Sequence, residues 1–104
     1  MVDRQTFVEI RKALEQAYGL RFRHAVLYGS EARGQADIDS DIDLMVVLDG
    51  AVSYFSDLHR SVAAVYPIEM RLGRAVSTKP VSWEQYSHED SPLMRNVRRE
   101  GITL

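Results

Sequence analysis

Leu27-Tyr28-Gly29-Ser30-Glu31-Ala32-Arg33-Gly34-Gln35-Ala36-Asp37-Ile38-Asp39-Ser40-Asp41-Ile42-Asp43-Leu44-Met45-Val46-Val47-Leu48 is the stretch on which the reading of this chain turns. Two apolar runs flank a polar connection. The first, His24 to Tyr28, is short, ends at Gly29 and reads as a strand. The second, Asp41 to Leu48, is the most strand-like segment of the chain, and Asp49-Gly50 punctuates its end. Between them Glu31 to Ser40 reads as a polar loop with one helical turn.

Gly29 has no Cβ, so the backbone there can approach a bulky anion closely. Ser30 adds a hydroxyl and an amide, and a helical turn at Glu31 to Arg33 would aim further amides at the same point. Arg33 contributes a fixed positive charge suited to phosphate oxygens. Together these predict a phosphate cradle. Asp41 and Asp43 lie two apart on a strand, so both side chains point to one face, with Cα atoms ~6–7 Å apart. Two carboxylates that close oppose each other's ionisation, and a divalent cation removes the opposition. An all-oxygen ligand set of this kind suits Mg²⁺. Ile42, Leu44 and Val46 point to the opposite face and bury there. If the two strands run antiparallel, Gly29-Ser30 and Asp41 sit at adjacent ends.

Working outward, residues 3 to 18 predict a helix: Phe7, Ile10, Leu14 and Ala17 recur at helical spacing, Asp3 is a plausible N-cap and Gly19 a stop. Ser53 begins a second helix to about Tyr66, with Phe55, Leu58, Val62 and Val65 as its apolar face and Pro67 as its end. Ile68 to Leu72 alternates and predicts a third strand. Ala75 to Val81 reads as an edge segment, since Pro80 argues against a central strand. Ser91-Pro92 starts a helix with Leu93, Met94 and Val97 on its apolar face, Gly101 ends it, and Ile102 to Leu104 adds a short strand. Alternating strands and helices make the class mixed α/β.

The chain has 104 residues, which predicts one domain over 1–104. A core this small is marginal, so association into a homo- or hetero-oligomer would add stability. Thirteen basic residues against fifteen acidic ones give a net charge of −2, which excludes nucleic-acid binding by bulk charge. There is no cysteine, hence no disulfide, thiol nucleophile or thiolate-ligated zinc. His24, His59 and His88 show no metal-ligand spacing, and Trp83 and Tyr86 read as packing residues. The N-terminus lacks the order of a signal peptide, and no apolar run reaches the ~20 residues of a membrane span, so the expected setting is the cytoplasm.

The segments Leu27 to Gly34 and Ser40 to Leu44, with Gly29-Ser30, a ten-residue gap and Asp41-Ile42-Asp43, resemble the DNA polymerase β-like nucleotidyltransferase superfamily. Within it the chain is similar to the minimal nucleotidyltransferases, which include MntA-type antitoxins. The resemblance implies a small mixed β-sheet flanked by helices. It implies a two-metal Mg²⁺ site on Asp41 and Asp43, with a third carboxylate on a neighbouring strand. Glu69, on the strand predicted at Ile68 to Leu72, is the candidate, where the family usually has Asp. Gly29, Ser30 and Arg33 would bind the triphosphate of ATP. The implied reaction is transfer of AMP to a protein acceptor, often a helical HEPN-type toxin. The alternative is an antitoxin-like binding subunit with a degenerate metal site.

Overall fold

The computed structural model describes residues 2–37 and 39–104; Ile38, inside the loop of the decisive stretch, lies outside them. The elements run α1 (Arg4–Tyr18), a single 3₁₀ turn, β1 (Phe22–Tyr28), β2 (Ile42–Leu48), α2 (Tyr54–Leu72), β3 (Val76–Ser82), α3 (Trp83–His88), α4 (Pro92–Glu100) and β4 (Ile102–Thr103). The strand order is β3-β2-β1-β4. β1 is antiparallel to both β2 and β4, whereas β2 and β3 are parallel. The sheet is therefore mixed, as the resemblance implied.

β2 reads as a continuous apolar run because both of its faces are covered. Ile42, Leu44, Val46 and Leu48 pack against Ile10 and Leu14 of α1 and Val65 and Ile68 of α2. Met45 and Val47 face the other way, toward Met94 and Val97 of α4, with Trp83 and Tyr86 of α3 at the margin. α1 begins where expected: the Asp3 carboxylate accepts from the Thr6 amide at 2.8 Å. α4 does too, with the Ser91 hydroxyl accepting from the Met94 amide at 3.2 Å. α3 is a helix that the spacing did not reveal.

Two expectations fail together at α2. Pro67 does not stop the helix, and Ile68 to Leu72 is its last turn and a half, not a strand. The buried stripe Asp57, Ser61, Val65 and Ile68 runs straight past the proline, and the gain from burying it outweighs one missing backbone bond. Ala63, whose carbonyl would have taken that bond, faces solvent, so water can serve it. Five residues of Ile-Glu-Met-Arg-Leu fit a helical repeat as well as a strand repeat. The third strand is instead β3, and Pro80 is accommodated because β3 lies at the sheet edge.

The expected apolar face of α2 also turns. Val65 is fully buried and Leu58 half-buried, but Phe55 is 83 % and Val62 43 % exposed. Asp57 and Ser61 take the inner positions because each finds partners there. The Arg21 guanidinium grips both Asp57 oxygens at 2.9 and 3.0 Å, and the Ser53 amide donates to the same carboxylate. Ser61 and Thr78 of β3 share a hydrogen bond of 3.0 Å. Buried polar groups satisfied in this way carry little cost.

Candidate nucleotide site

β1 and β2 bring the two halves of the decisive stretch together at one end of the sheet. Tyr28, the last residue of β1, is paired in register with Asp43. Gly29 then turns with φ of +76°, and a Cβ there would lie 2.5 Å from Oδ2 of Asp43. Glycine is thus demanded twice, by the left-handed backbone and by the carboxylate beside it. The following residues form one turn, with the Arg33 amide donating to the Gly29 carbonyl at 3.2 Å and Gln35 to Ser30 at 2.9 Å. The bonds of the turn begin at Arg33, which leaves the amides of Ser30, Glu31 and Ala32 ahead of it, as at the first turn of a helix.

The turn is fixed by an ion pair that the sequence reading missed. Arg74, just ahead of β3, meets Glu31 at 2.8 Å, and their side chains are only 9 % and 6 % exposed. The same guanidinium donates through Nε to the Ser40 carbonyl at 3.0 Å. One side chain therefore ties the residue after Gly29-Ser30 to the residue before Asp41. The two charges stand 43 positions apart in an unremarkable context, so no local signal marks them.

Asp43 is half-buried and Asp41 exposed. Burial, reinforced by the charge of Asp41 and opposed by that of Arg33, raises the Asp43 pKa above its ordinary value. Arg33 itself is about half-exposed, bonds Gln35 at 3.2 Å and lies 3.8 Å from the Glu100 carboxylate at the end of α4. A cavity of about 220 Å³ opens there, lined by Tyr28, Gly29, Arg33, Val97 and Glu100 among others.

Glu69 is elsewhere. It rides on α2, and its Oε2 accepts from the Val76 amide at 3.0 Å, so it satisfies the backbone where β3 begins. Its assignment to a strand is corrected accordingly. Among the described residues no group of three or more histidines, cysteines or acids is arranged to hold a metal ion. The β3 residue paired with Asp43 is Ser77. The acidic donors present are Asp41 and Asp43, oxygen ligands of the kind a hard divalent cation takes alongside phosphate oxygens. For a second cation the neighbouring strands offer Tyr28 and Ser77, neither a carboxylate. Arg98 of α4 donates to the Tyr86 and Glu89 carbonyls, and Arg95 pairs with Asp90, so two of the C-terminal arginines brace the α3–α4 connection.

Residues 9–104 match the family model described as polymerase beta, nucleotidyltransferase. The chain is 28% identical, over all of its own length and 99% of the relative's, to a protein of Methanocaldococcus jannaschii named "Putative protein adenylyltransferase". A solved structure, described as a "putative minimal nucleotidyltransferase", superposes with a TM-score of 0.59 at 28% identity, over 99% of this chain and 97% of that one. Two more structures share the fold at 15% identity, matching 98% and 100% of this chain and 72% of each of theirs: a toxin–antitoxin with AMP-PNP, TM-score 0.65, and a mutant toxin–antitoxin named MntA-HpeT, TM-score 0.63. The match over nearly the whole chain, on a mixed sheet that brings Gly29 against Asp43, shows that the chain belongs to the polymerase β nucleotidyltransferase family and is a nucleotidyltransferase.

Proposed function

We propose that this nucleotidyltransferase, with Mg²⁺, transfers AMP from ATP to a hydroxyl of a protein acceptor, and that the acceptor is a helical HEPN-type toxin silenced by the modification. The observation that carries this reading is the close approach of Gly29 to Asp43, which sets the turn after β1 beside that carboxylate. The adenylyl group and the protein acceptor follow the name of the archaeal relative, and the toxin follows the toxin–antitoxin neighbours. ATP use goes with a cytoplasmic setting; among the described residues no helix is long and apolar enough to cross a membrane.

In this reading the amides of Ser30 to Ala32 and the Ser30 hydroxyl receive triphosphate oxygens, while the Arg33 guanidinium neutralises their charge. Gly29 keeps the chain thin enough for the triphosphate to lie against β2. Asp41 and Asp43 would hold Mg²⁺, which supplies charge stabilisation to the phosphates when bound. The acceptor oxygen bonds to the α-phosphorus, the bond to the β-phosphate oxygen breaks, pyrophosphate leaves and the hydroxyl proton is released. This reading leaves Glu69 out, because its Oε2 accepts from the Val76 amide on the α2 side of the sheet.

The test is incubation of the protein with α-labelled ATP, Mg²⁺ and a lysate of its own source cells, beside the double variant Asp41→Asn, Asp43→Asn. A labelled protein band that the variant lacks is the expected result. A band of equal strength with the variant would remove the acidic pair from the chemistry. Ser77 opposite Asp43 favours a second reading, an antitoxin-like subunit that binds nucleotide and partner without transfer. Absence of any band, with nucleotide binding intact, would select it.

A further inference from the structure

The row of side chains across the sheet at Asp43 determines how many cations the site can hold. β3 runs parallel to β2 with Ile42 opposite Val76, Asp43 opposite Ser77 and Leu44 opposite Thr78. Val76 and Thr78 are buried and Thr78 bonds Ser61 of α2, so they face the α1–α2 side. Ser77 alternates to the other face, the one that carries Asp43, and it is exposed. The row therefore reads Tyr28, Asp43, Ser77: one phenol, one carboxylate, one alcohol. Two residues along β3, on the same face, comes Lys79, a cation where a further anionic donor would have to stand.

Neighbouring strands lie about 4.8 Å apart, so the Ser77 side chain stands beside that of Asp43 on the same face. A neutral alcohol is a poor ligand for a second hard dication beside the first, because it brings no charge to offset their repulsion. Asp41 and Asp43 alone neutralise one Mg²⁺.

We propose that Ser77 limits this site to a single divalent cation, the one that arrives with the triphosphate, and so sets the rate of transfer. The inference rests on the nucleotidyl-transfer reading above and adds the cation count and the residue that fixes it. Mg²⁺–ATP binds to Gly29, Ser30, Arg33, Asp41 and Asp43, while activation of the acceptor hydroxyl lacks its own cation. The chain transfers slowly, and Ser77→Asp is a gain-of-function change.

The experiment counts Mn²⁺ per chain by equilibrium dialysis at saturating α,β-methylene-ATP, for the wild type, Ser77→Asp and Ser77→Asn. One Mn²⁺ per chain is expected for the wild type and Ser77→Asn, and two for Ser77→Asp. In the labelling assay Ser77→Asp should raise the initial rate at least about tenfold, while Ser77→Asn, which adds no charge, should not raise it. Two Mn²⁺ in the wild type, or one in a folded Ser77→Asp, overturns the inference and leaves nucleotide binding standing. A wild type that binds no Mn²⁺ with the nucleotide overturns the underlying reading itself, and this one with it. Ser77 is an exposed edge-strand position, so a melting curve like that of the wild type is expected for both variants. If Ser77→Asp melts early, Ser77→Glu replaces it under the same criteria.

Discussion

At Gly29 a single hydrogen in place of a methyl group holds two functions together. Gly29→Ala forces a side chain into φ +76° and drives Cβ to 2.5 Å from the Asp43 carboxylate. The strain alone costs about 1–3 kcal/mol. We expect a lower melting temperature and a lost Mg²⁺–ATP response. In Gly29→Ala with Asp43→Ala the clash disappears and only the backbone strain remains, so the two changes should be less than additive in stability. Additivity in chemical denaturation would show that the contact has no weight.

Asp43 also gives a signed pH dependence. Its folded pKa is raised by burial and by Asp41, so the folded chain holds the proton more tightly than the unfolded one. The resulting stability is fully present below the ordinary aspartate range and lost as pH rises through the raised value. In chelator, Asp43→Asn should therefore melt higher than the wild type near neutral pH. The difference should shrink to nothing in acid, where both side chains are neutral. A constant difference at every pH would contradict the sign. Arg74 acts differently, as a clamp. Arg74→Ala leaves Glu31 buried without its partner and should cost about 3 kcal/mol by denaturant titration, with weaker nucleotide binding because the turn and Ser40 lose their tie.

Among the elements, legibility followed how much local evidence each one carried. α1 and α4 announced themselves through caps that the folded chain uses, Asp3 and Ser91. β1 and β2 were plain because apolar runs ended at Gly29 and Asp49-Gly50, and their antiparallel pairing is what joins the site. That pairing sets Gly29 against Asp43, whereas Asp41 lies just ahead of β2 and not on it. What was not legible depended on distant partners. Asp57 and Ser61 are buried because Arg21 and Thr78 meet them, and no pattern within α2 reveals either. The same burial carried the helix through Pro67 and took Glu69 off the strand expected at Ile68 to Leu72, while the edge segment read at Ala75 to Val81 is β3. This has a direct test. Pro67→Ala should stabilise the protein by about 1–2 kcal/mol, because a helix interior regains a backbone bond while the unfolded chain gains some freedom. If residues 68 to 72 were a strand after a proline stop, the same change would be neutral or harmful.

For the molecule as a whole, the site lies at the sheet end where β1, β2, the start of β3 and α4 converge, so a ligand there bridges elements that unfolding would separate. The turn after β1 supplies Gly29, β2 supplies Asp43, Arg74 ahead of β3 clamps the turn, and α4 brings Glu100 to Arg33. A ligand that binds only this assembled arrangement stabilises the fold by mass action, by about 2.7 kcal/mol at one hundred times its dissociation constant. Mg²⁺–ATP should accordingly raise the melting temperature, and Asp41→Asn with Asp43→Asn should remove most of the rise. Glu69 separates ligand from scaffold. Glu69→Gln keeps an oxygen for the Val76 amide, so both the melting temperature and the Mg²⁺–ATP shift should stay close to wild type. Glu69→Ala orphans that amide and should lower the melting temperature of the free protein by an amount equivalent to about 1–3 kcal/mol, with the shift still present. Loss of the shift in Glu69→Gln, with the fold intact, would return Glu69 to the metal. Persistence of the shift in both variants, beside its loss in the aspartate pair, would confine cation binding to Asp41 and Asp43 and make the residue opposite Asp43 the one that decides catalytic power.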